Sequence, residues 1–318
     1  MGRVVRVDMG VCTVLLPDGN LVRVHFRGDE GVVVGDLVSF EVGDPPRLAS
    51  IGERRSAFKR AATGKETKEQ VVAANVDTVF LVSSLDVRVR LGRVERGLAL
   101  SWQSGASPVV VLTKADVALP GWEDDVAAVQ GVALGVPVHV VSVATGLGID
   151  EVAAYVRPGE TVALLGPSGA GKSTLVNRLA GAEVMATGAV RRDGKGRHTT
   201  THRELIPMPG GAYLLDTPGM RELGLWDASE GVEQAFADVD ELAAGCRFSD
   251  CAHAAEPGCA VRAAVEAGTL DARRLDAWEK LQRELEHQAA RVDARARSEQ
   301  QRRWKTIHKS IRNLPPKR

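Results

Sequence analysis

The residues Gly166-Pro167-Ser168-Gly169-Ala170-Gly171-Lys172-Ser173 fit the pattern G-x-x-x-x-G-K-[ST]. Glycines at this spacing let successive backbone N–H groups turn toward one centre, Lys172 adds a point charge, and the Ser173 hydroxyl can take a hard cation. Such a loop cradles the phosphates of a nucleotide with its Mg²⁺ when a strand feeds it and a helix leaves it. Residues 162–165 are an apolar, strand-like run and Thr174 continues into a helical stretch up to residue 179, so motif and context agree.

Two further segments have the chemistry of a nucleoside triphosphatase. Asp216-Thr217-Pro218-Gly219 follows the apolar Tyr213-Leu214-Leu215. An acid at the end of a strand can hold Mg²⁺ through water, and Gly219 is free to swing its N–H onto a γ phosphate. Between the two motifs, Gly194-Lys195-Gly196-Arg197-His198-Thr199-Thr200-Thr201 is polar, punctuated by glycine and without apolar periodicity. It reads as a mobile loop in which Thr199 or Thr200 completes the cation's shell. Met220 follows Gly219, and a thioether cannot orient an attacking water, so intrinsic turnover should be slow and His198 is the candidate to replace that function.

The base is chosen by Thr113-Lys114-Ala115-Asp116, after the apolar run of residues 109–112. The Asp116 carboxylate can accept from both N1–H and the exocyclic amine of guanine, which adenine cannot offer, and a buried polar mismatch of this kind discriminates by ~10⁴. Lys114 would lie along the base plane. Ser142-Val143-Ala144, after the strand-like residues 138–141, would back the guanine carbonyl with a backbone N–H. GTP and GDP are therefore the expected ligands, and a P-loop ATPase or kinase is disfavoured.

Cys246, Cys251, His253 and Cys259 supply three thiolates and an imidazole within fourteen residues, a donor set for one tetrahedral, structural Zn²⁺. Cys12, alone in a strand-like segment, reads as a small buried hydrophobe. Residues 291–318 hold ten Lys or Arg against Asp293 and Glu299, with Trp304 among them. That tail can neutralise RNA phosphates and stack a base, or simply be a solvated helix end.

The elements that position these groups divide the 318 residues into three parts. Residues 1–56 read as a five-stranded small barrel: Val5, Val7, Val11 and Val14 alternate, a Pro17-Asp18-Gly19-Asn20 turn follows, then strands over residues 21–26 and 32–42. An OB-type barrel fits, as do an SH3-like or purely structural one. The polar residues 52–70, with Arg54, Arg55, Lys59 and Arg60 against Glu53 and Glu66, read as a solvated connection. Residues 57–230 alternate apolar strands with helical stretches, the mark of an α/β domain with a largely parallel sheet. Residues 231–318 lack strand-like runs, and Leu275, Trp278, Leu281 and Leu285 draw one apolar helix face. The 41 basic and 41 acidic side chains cancel, so nucleic acid binding must come from local patches. No apolar run approaches a membrane span, and Arg3, Arg6 and Asp8 interrupt the start where a secretory signal needs an apolar core. A cytoplasmic protein with no membrane contact is expected.

The motif order, base recognition first, then the Ser142 segment, P-loop, Thr loop and Asp216-Thr217-Pro218-Gly219, is the usual GTPase order circularly permuted. With a barrel in front and a Cys/His cluster behind, the chain resembles the ribosome small-subunit-dependent GTPase A family. Gly196-Arg197-His198-Thr199-Thr200 and Ala74-Asn75-Val76-Asp77 are similar to that family's segments. Thr113 departs from it, standing where Asn is usual and implying a weakened bond to the P-loop backbone; Val143 stands where Ala is usual. The resemblance implies a factor that binds the maturing small ribosomal subunit and its rRNA with GTP, acts in a late assembly step, and leaves after hydrolysis stimulated by the subunit; a monomer is expected. The alternative is an RNA-binding assembly factor that holds GTP with negligible hydrolysis.

Overall fold

The computed structural model describes residues 1–28, 30–61, 69–185, 204–216 and 228–290. His198, Thr199, Thr200, Gly219, Met220 and the basic tail lie outside the described residues.

Five strands, β1 (Gly2–Asp8), β2 (Val11–Leu15), β3 (Leu21–His25), β4 (Leu37–Glu41) and β5 (Arg47–Ile51), form the N-terminal unit in the order β1-β2-β3-β5-β4. Pairing of β4 back onto β1 closes it into a barrel, and the single parallel contact, β3 with β5, gives the Greek-key order of an OB barrel. Val4, Cys12, Val14, Val24, Val32 and Val38 fill it. Cys12 is fully buried, and burial pushes its thiol up to about 11, so it is inert packing. A bulge in β1 between Val4 and Arg6 lets Val4 face the barrel core while Val5 joins the core of the next unit. The strand expected over residues 32–42 is shorter than expected. Asp36, fully buried, accepts from Val33 N–H at 2.9 Å and from both Nε and Nη2 of Arg54 at 2.7 and 2.9 Å, which makes residues 33–36 a turn.

The connection expected over residues 52–70 is instead a hairpin, β6 (Ala57–Ala61) with β7 (Glu69–Ala74). Phe58, Val72 and Ala73 of this hairpin are buried in the central core. Gly35, at φ 94°, lies so close to β7 that a Cβ would sit 2.0 Å from the Ala74 carbonyl oxygen.

The central sheet runs β10-β9-β8-β11-β13-β12, from β8 (Thr78–Ser84), β9 (Ser107–Thr113), β10 (Val138–Val140), β11 (Thr161–Leu165), β12 (Glu204–Pro207) and β13 (Tyr213–Asp216). The first five are parallel and β12 is antiparallel to β13. Alternate residues feed two cores: Val79, Leu81, Val110 and Leu112 face one side, and Phe80, Val82, Val109 and Val111 the other. Helix α1 (Leu91–Ser104) covers the first side through Val94 and Leu98, with α2 (Trp122–Val132) beside it through Val129 and Val132; α4 (Lys172–Ala180) covers the second through Leu175, with α3 (Ile149–Ala153) adding Ile149 and Val152. β12, only four residues long, gives no periodic signal in the sequence, and it also joins the barrel to the central sheet: Arg6 of β1 pairs with Glu204.

Helices α5 (Ser229–Ala235), α6 (Ala237–Ala243) and α7 (Ala260–Glu266), with a helix through residues 272–290, complete the described chain. The apolar face of that last helix is buried as expected, Leu275 and Leu281 joining Phe236, Val239 and Val261 in the same core as α1. Glu95 of α1, fully buried, accepts from Arg274 at 2.9 Å and Arg273 at 3.1 Å, and Arg274 also pairs with Asp238 at 2.8 Å and stacks over Phe236. A buried charge must be paired to be tolerated, so these contacts fix the C-terminal helices against α1. Among the described residues no helix is long and apolar enough to cross a membrane.

Candidate functional site

The motif-bearing segments leave one edge of the parallel sheet, at the C-terminal ends of β9, β10, β11 and β13, where open α/β sheets bind their ligands. Gly166 leaves β11 at φ 154°, and a Cβ there would lie 2.2 Å from the Val82 carbonyl oxygen, so only glycine lets the loop pass β8. Gly169 and Gly171 take φ of 80° and 82°, turning the backbone into α4. Gly171 is the N-cap of α4 and has no side chain to satisfy the first-turn N–H groups, which suits an anion. Ser168 and Thr174 are exposed and Ser173 is half-buried. The Lys172 ammonium donates to the carbonyls of Gly166 at 2.9 Å and Pro167 at 2.7 Å.

Residues 113–116, the segment expected to read the base, are tied to this loop. The Thr113 hydroxyl, buried at the end of β9, donates to the Ala170 carbonyl at 2.6 Å. The bond expected to weaken for want of Asn is therefore present, made by a shorter side chain. Lys114 adopts φ 64°, Ala115 N–H donates to Val141, and Asp116 is exposed at the sheet edge. Its Oδ1 accepts from the Ser142 hydroxyl at 2.6 Å, which aims the carboxylate. The N–H of Ser142 is used by Leu147 at 3.0 Å, so Ser142 acts here through its hydroxyl. Asp216 ends β13, whose Leu215 is in register with Ala163 of β11, so the P-loop and residue 216 leave neighbouring strands.

Sequence reasoning missed Asp86, two residues past β8 on the same edge, whose Oδ2 lies 2.6 Å from Lys114 Nζ. An acid just past a strand end was the available signal. Burial alone would raise the Asp86 pKa, yet hydrogen bonds from Lys114 and Ser84, with the Lys114 charge, hold it below the usual carboxylate range.

The candidate metal ligands also converge. One donor atom from each of Cys246, Cys251, His253 and Cys259 lies within 4.8 Å of all the others. Cys246 Sγ is 3.9 Å from Cys259 Sγ, and His253 Nδ1 is 3.6 and 3.4 Å from those sulfurs. Tetrahedral Zn²⁺ requires about 3.8 Å between sulfurs and about 3.6 Å from sulfur to nitrogen, so the set fits the ion. Cys259 caps α7, accepting Arg262 N–H at 3.4 Å, and His253 is buried with its ring 5.3 Å from that of Trp278. At Cys246 burial acts to raise the thiol pKa, but N–H groups of Val261 and Ala260 bring it below the usual value. Cys251 is pushed up to about 11 by burial and by the two neighbouring sulfurs, the repulsion a bound cation relieves.

The RsgA GTPase family model matches residues 51–226, from the hairpin past Asp216. Over 96% of this chain and 84% of its own length, the small ribosomal subunit biogenesis GTPase RsgA of Streptomyces avermitilis is 51% identical. The protein of the same name from Opitutus terrae is 49% identical over 92% of this chain and 79% of its own. The crystal structure of YjeQ from Thermotoga maritima superposes with a TM-score of 0.68 at 26% identity, covering 89% of this chain and 97% of that one. YloQ, described as a circularly permuted GTPase, shares the fold with a TM-score of 0.62 at 24% identity, covering 90% and 94%. With the P-loop, the base-reading segment and the strand-end acid meeting on one sheet edge in permuted order, the chain belongs to the RsgA GTPase family.

Proposed function

We propose that the described edge of the sheet binds GTP: residues 166–174 hold the phosphates, Thr113, Lys114, Ala115, Asp116 and Ser142 hold guanine, and Ser173 with Asp216 holds Mg²⁺. The observation that carries this reading is the pair of 2.6 Å bonds, Thr113 to Ala170 and Ser142 to Asp116, which joins three segments far apart in the chain into one site. The protein is a GTPase acting in maturation of the small ribosomal subunit, as its relatives' names state of them. Mg²⁺, when bound, neutralises charge developing on the phosphates. Lys172 would follow the γ phosphate, giving up the carbonyls of Gly166 and Pro167. Gly219 and His198 are assigned the γ-phosphate contact and the orientation of water.

In this reading the subunit stimulates hydrolysis and hydrolysis releases the protein, a cytoplasmic monomer whose working parts are residues 1–56, 57–230 and 231–318. Contact with rRNA is supported by the barrel, where Arg23, His25 and Arg47 are exposed, with His25 and Arg47 paired across β3 and β5. Two arginines on an OB surface suit phosphates. One structural Zn²⁺ is assigned to Cys246, Cys251, His253 and Cys259. Phosphate release from GTP and from ATP, with and without purified small subunits, tests the whole reading.

A further inference from the structure

One close ion pair at the rim of the nucleotide site has no assigned purpose. Asp86 and Lys114 follow neighbouring strands held in register, Ser84 opposite Thr113. The joint is fixed on both sides: Leu85 N–H donates to the Thr113 carbonyl at 2.9 Å, and Leu119 N–H donates to the Leu85 carbonyl at 2.9 Å. Lys114 takes the left-handed φ of 64° and reaches Asp86 Oδ2 at 2.6 Å, each side chain about one-third exposed. A lysine stem has four rotatable carbons, and laying it against a flat base costs side-chain entropy unless its end is already held.

We propose that Asp86 is a positioning residue for guanine: it anchors the ammonium of Lys114 so that the stem is pre-set as one wall of the base pocket. This rests on the reading of residues 113–116 as the base-recognition segment. Asp86 touches no nucleotide atom itself, and its contribution is the ordering of Lys114 before binding. The pair lies at the surface, each side chain about one-third exposed, apart from the buried Glu95, Arg274 and Asp238 cluster that holds the C-terminal helices.

The test is a double-mutant cycle on the full chain, reading affinity for a fluorescent GDP in the parent, Asp86→Ala, Lys114→Ala and the double variant. Asp86→Ala should weaken binding about fivefold, the upper range for a partly exposed ion pair, and Asp86→Asn by less, since it keeps an acceptor but not the charge. In the Lys114→Ala background the Asp86→Ala change should have no further effect. The inference is overturned if Asp86→Ala binds GDP as the parent does, or if it weakens binding equally in both backgrounds, as a merely structural residue would. Lys114→Ala binding GDP as the parent does would sink the base-pocket reading itself, and this inference with it.

Discussion

The Thr113 hydroxyl donates to the carbonyl oxygen of Ala170 at 2.6 Å, across 57 positions of sequence. The residue that opens the segment proposed to read the base is thereby fastened to the P-loop, and in that reading the base and phosphate subsites are held at a set separation before any ligand arrives. Threonine lacks the carboxamide that asparagine would carry, but its hydroxyl sits at the end of β9 close enough to make the backbone bond.

Removing that bond should show in affinity. Thr113→Val keeps the shape and leaves the buried Ala170 carbonyl unpaired, a cost of about 1–3 kcal/mol. Calorimetric titration should find GDP binding weakened by about tenfold in Thr113→Val and nearly unchanged in Thr113→Ser. Parent-like affinity in the valine variant would mean the bond is incidental.

Base choice should follow Asp116. Asp116→Asn presents a donor where the carboxylate accepted, so preference should move from GTP toward xanthosine triphosphate. Competition against labelled GDP measures this, and unchanged GTP affinity would remove Asp116 from the pocket.

The metal should be bound once per chain. Elemental analysis of purified protein should find one zinc, and Cys251→Ser or His253→Ala should lose it. Because Cys259 caps α7 and lies in the core shared with α1, the loss should lower the melting temperature as well as loosening the C-terminal helices. GTP binding, assigned to residues 113–116, 142 and 166–174, none of them a zinc ligand, should persist. Full zinc in Cys251→Ser contradicts the assignment.

Asp240 gives a pH signature. Burial first, then Glu233 and Asp238, push its carboxyl up to about 6 from 3.8, and its Oδ2 has no hydrogen-bond partner among the described residues. The folded state then holds a proton that the unfolded state has released between these values, so stability from this group falls as pH rises from about 4 to 6. Asp240→Asn mimics the protonated form. Allowing for solvent screening of a partly exposed group, it should gain ~1 kcal/mol, a few degrees in melting temperature, at pH 8 and little at pH 4. An equal difference at both pH values would show that the carboxyl is not responsible.

What could be read from sequence was chemistry carried by neighbours in the chain. The P-loop and the Cys246 to Cys259 cluster declare themselves because their donors lie within a few residues of each other, and the alternation of β8 and β9 marks a buried parallel sheet. What stayed hidden depends on distant partners. Asp86 acquires meaning only when β8 lies beside β9, and Glu95 looks like an ordinary surface acid until Arg274, 179 positions later, meets it. β12 is too short for periodicity, and the hairpin at residues 57–74 is hidden in a polar stretch where only Phe58, Val72 and Ala73 reach the core.

The central claim is that this chain hydrolyses GTP in answer to the small ribosomal subunit. Phosphate release from GTP and ATP, with and without purified subunits, measures it directly, with Lys172→Ala and His198→Ala as controls. The account predicts slow turnover of GTP alone, none of ATP, and an acceleration by subunits of ~10², the worth of one positioned water-orienting or proton-accepting group. Lys172→Ala should lose both rates, and His198→Ala most of the acceleration only. Equal turnover of ATP, or GTP turnover indifferent to subunits, would contradict it.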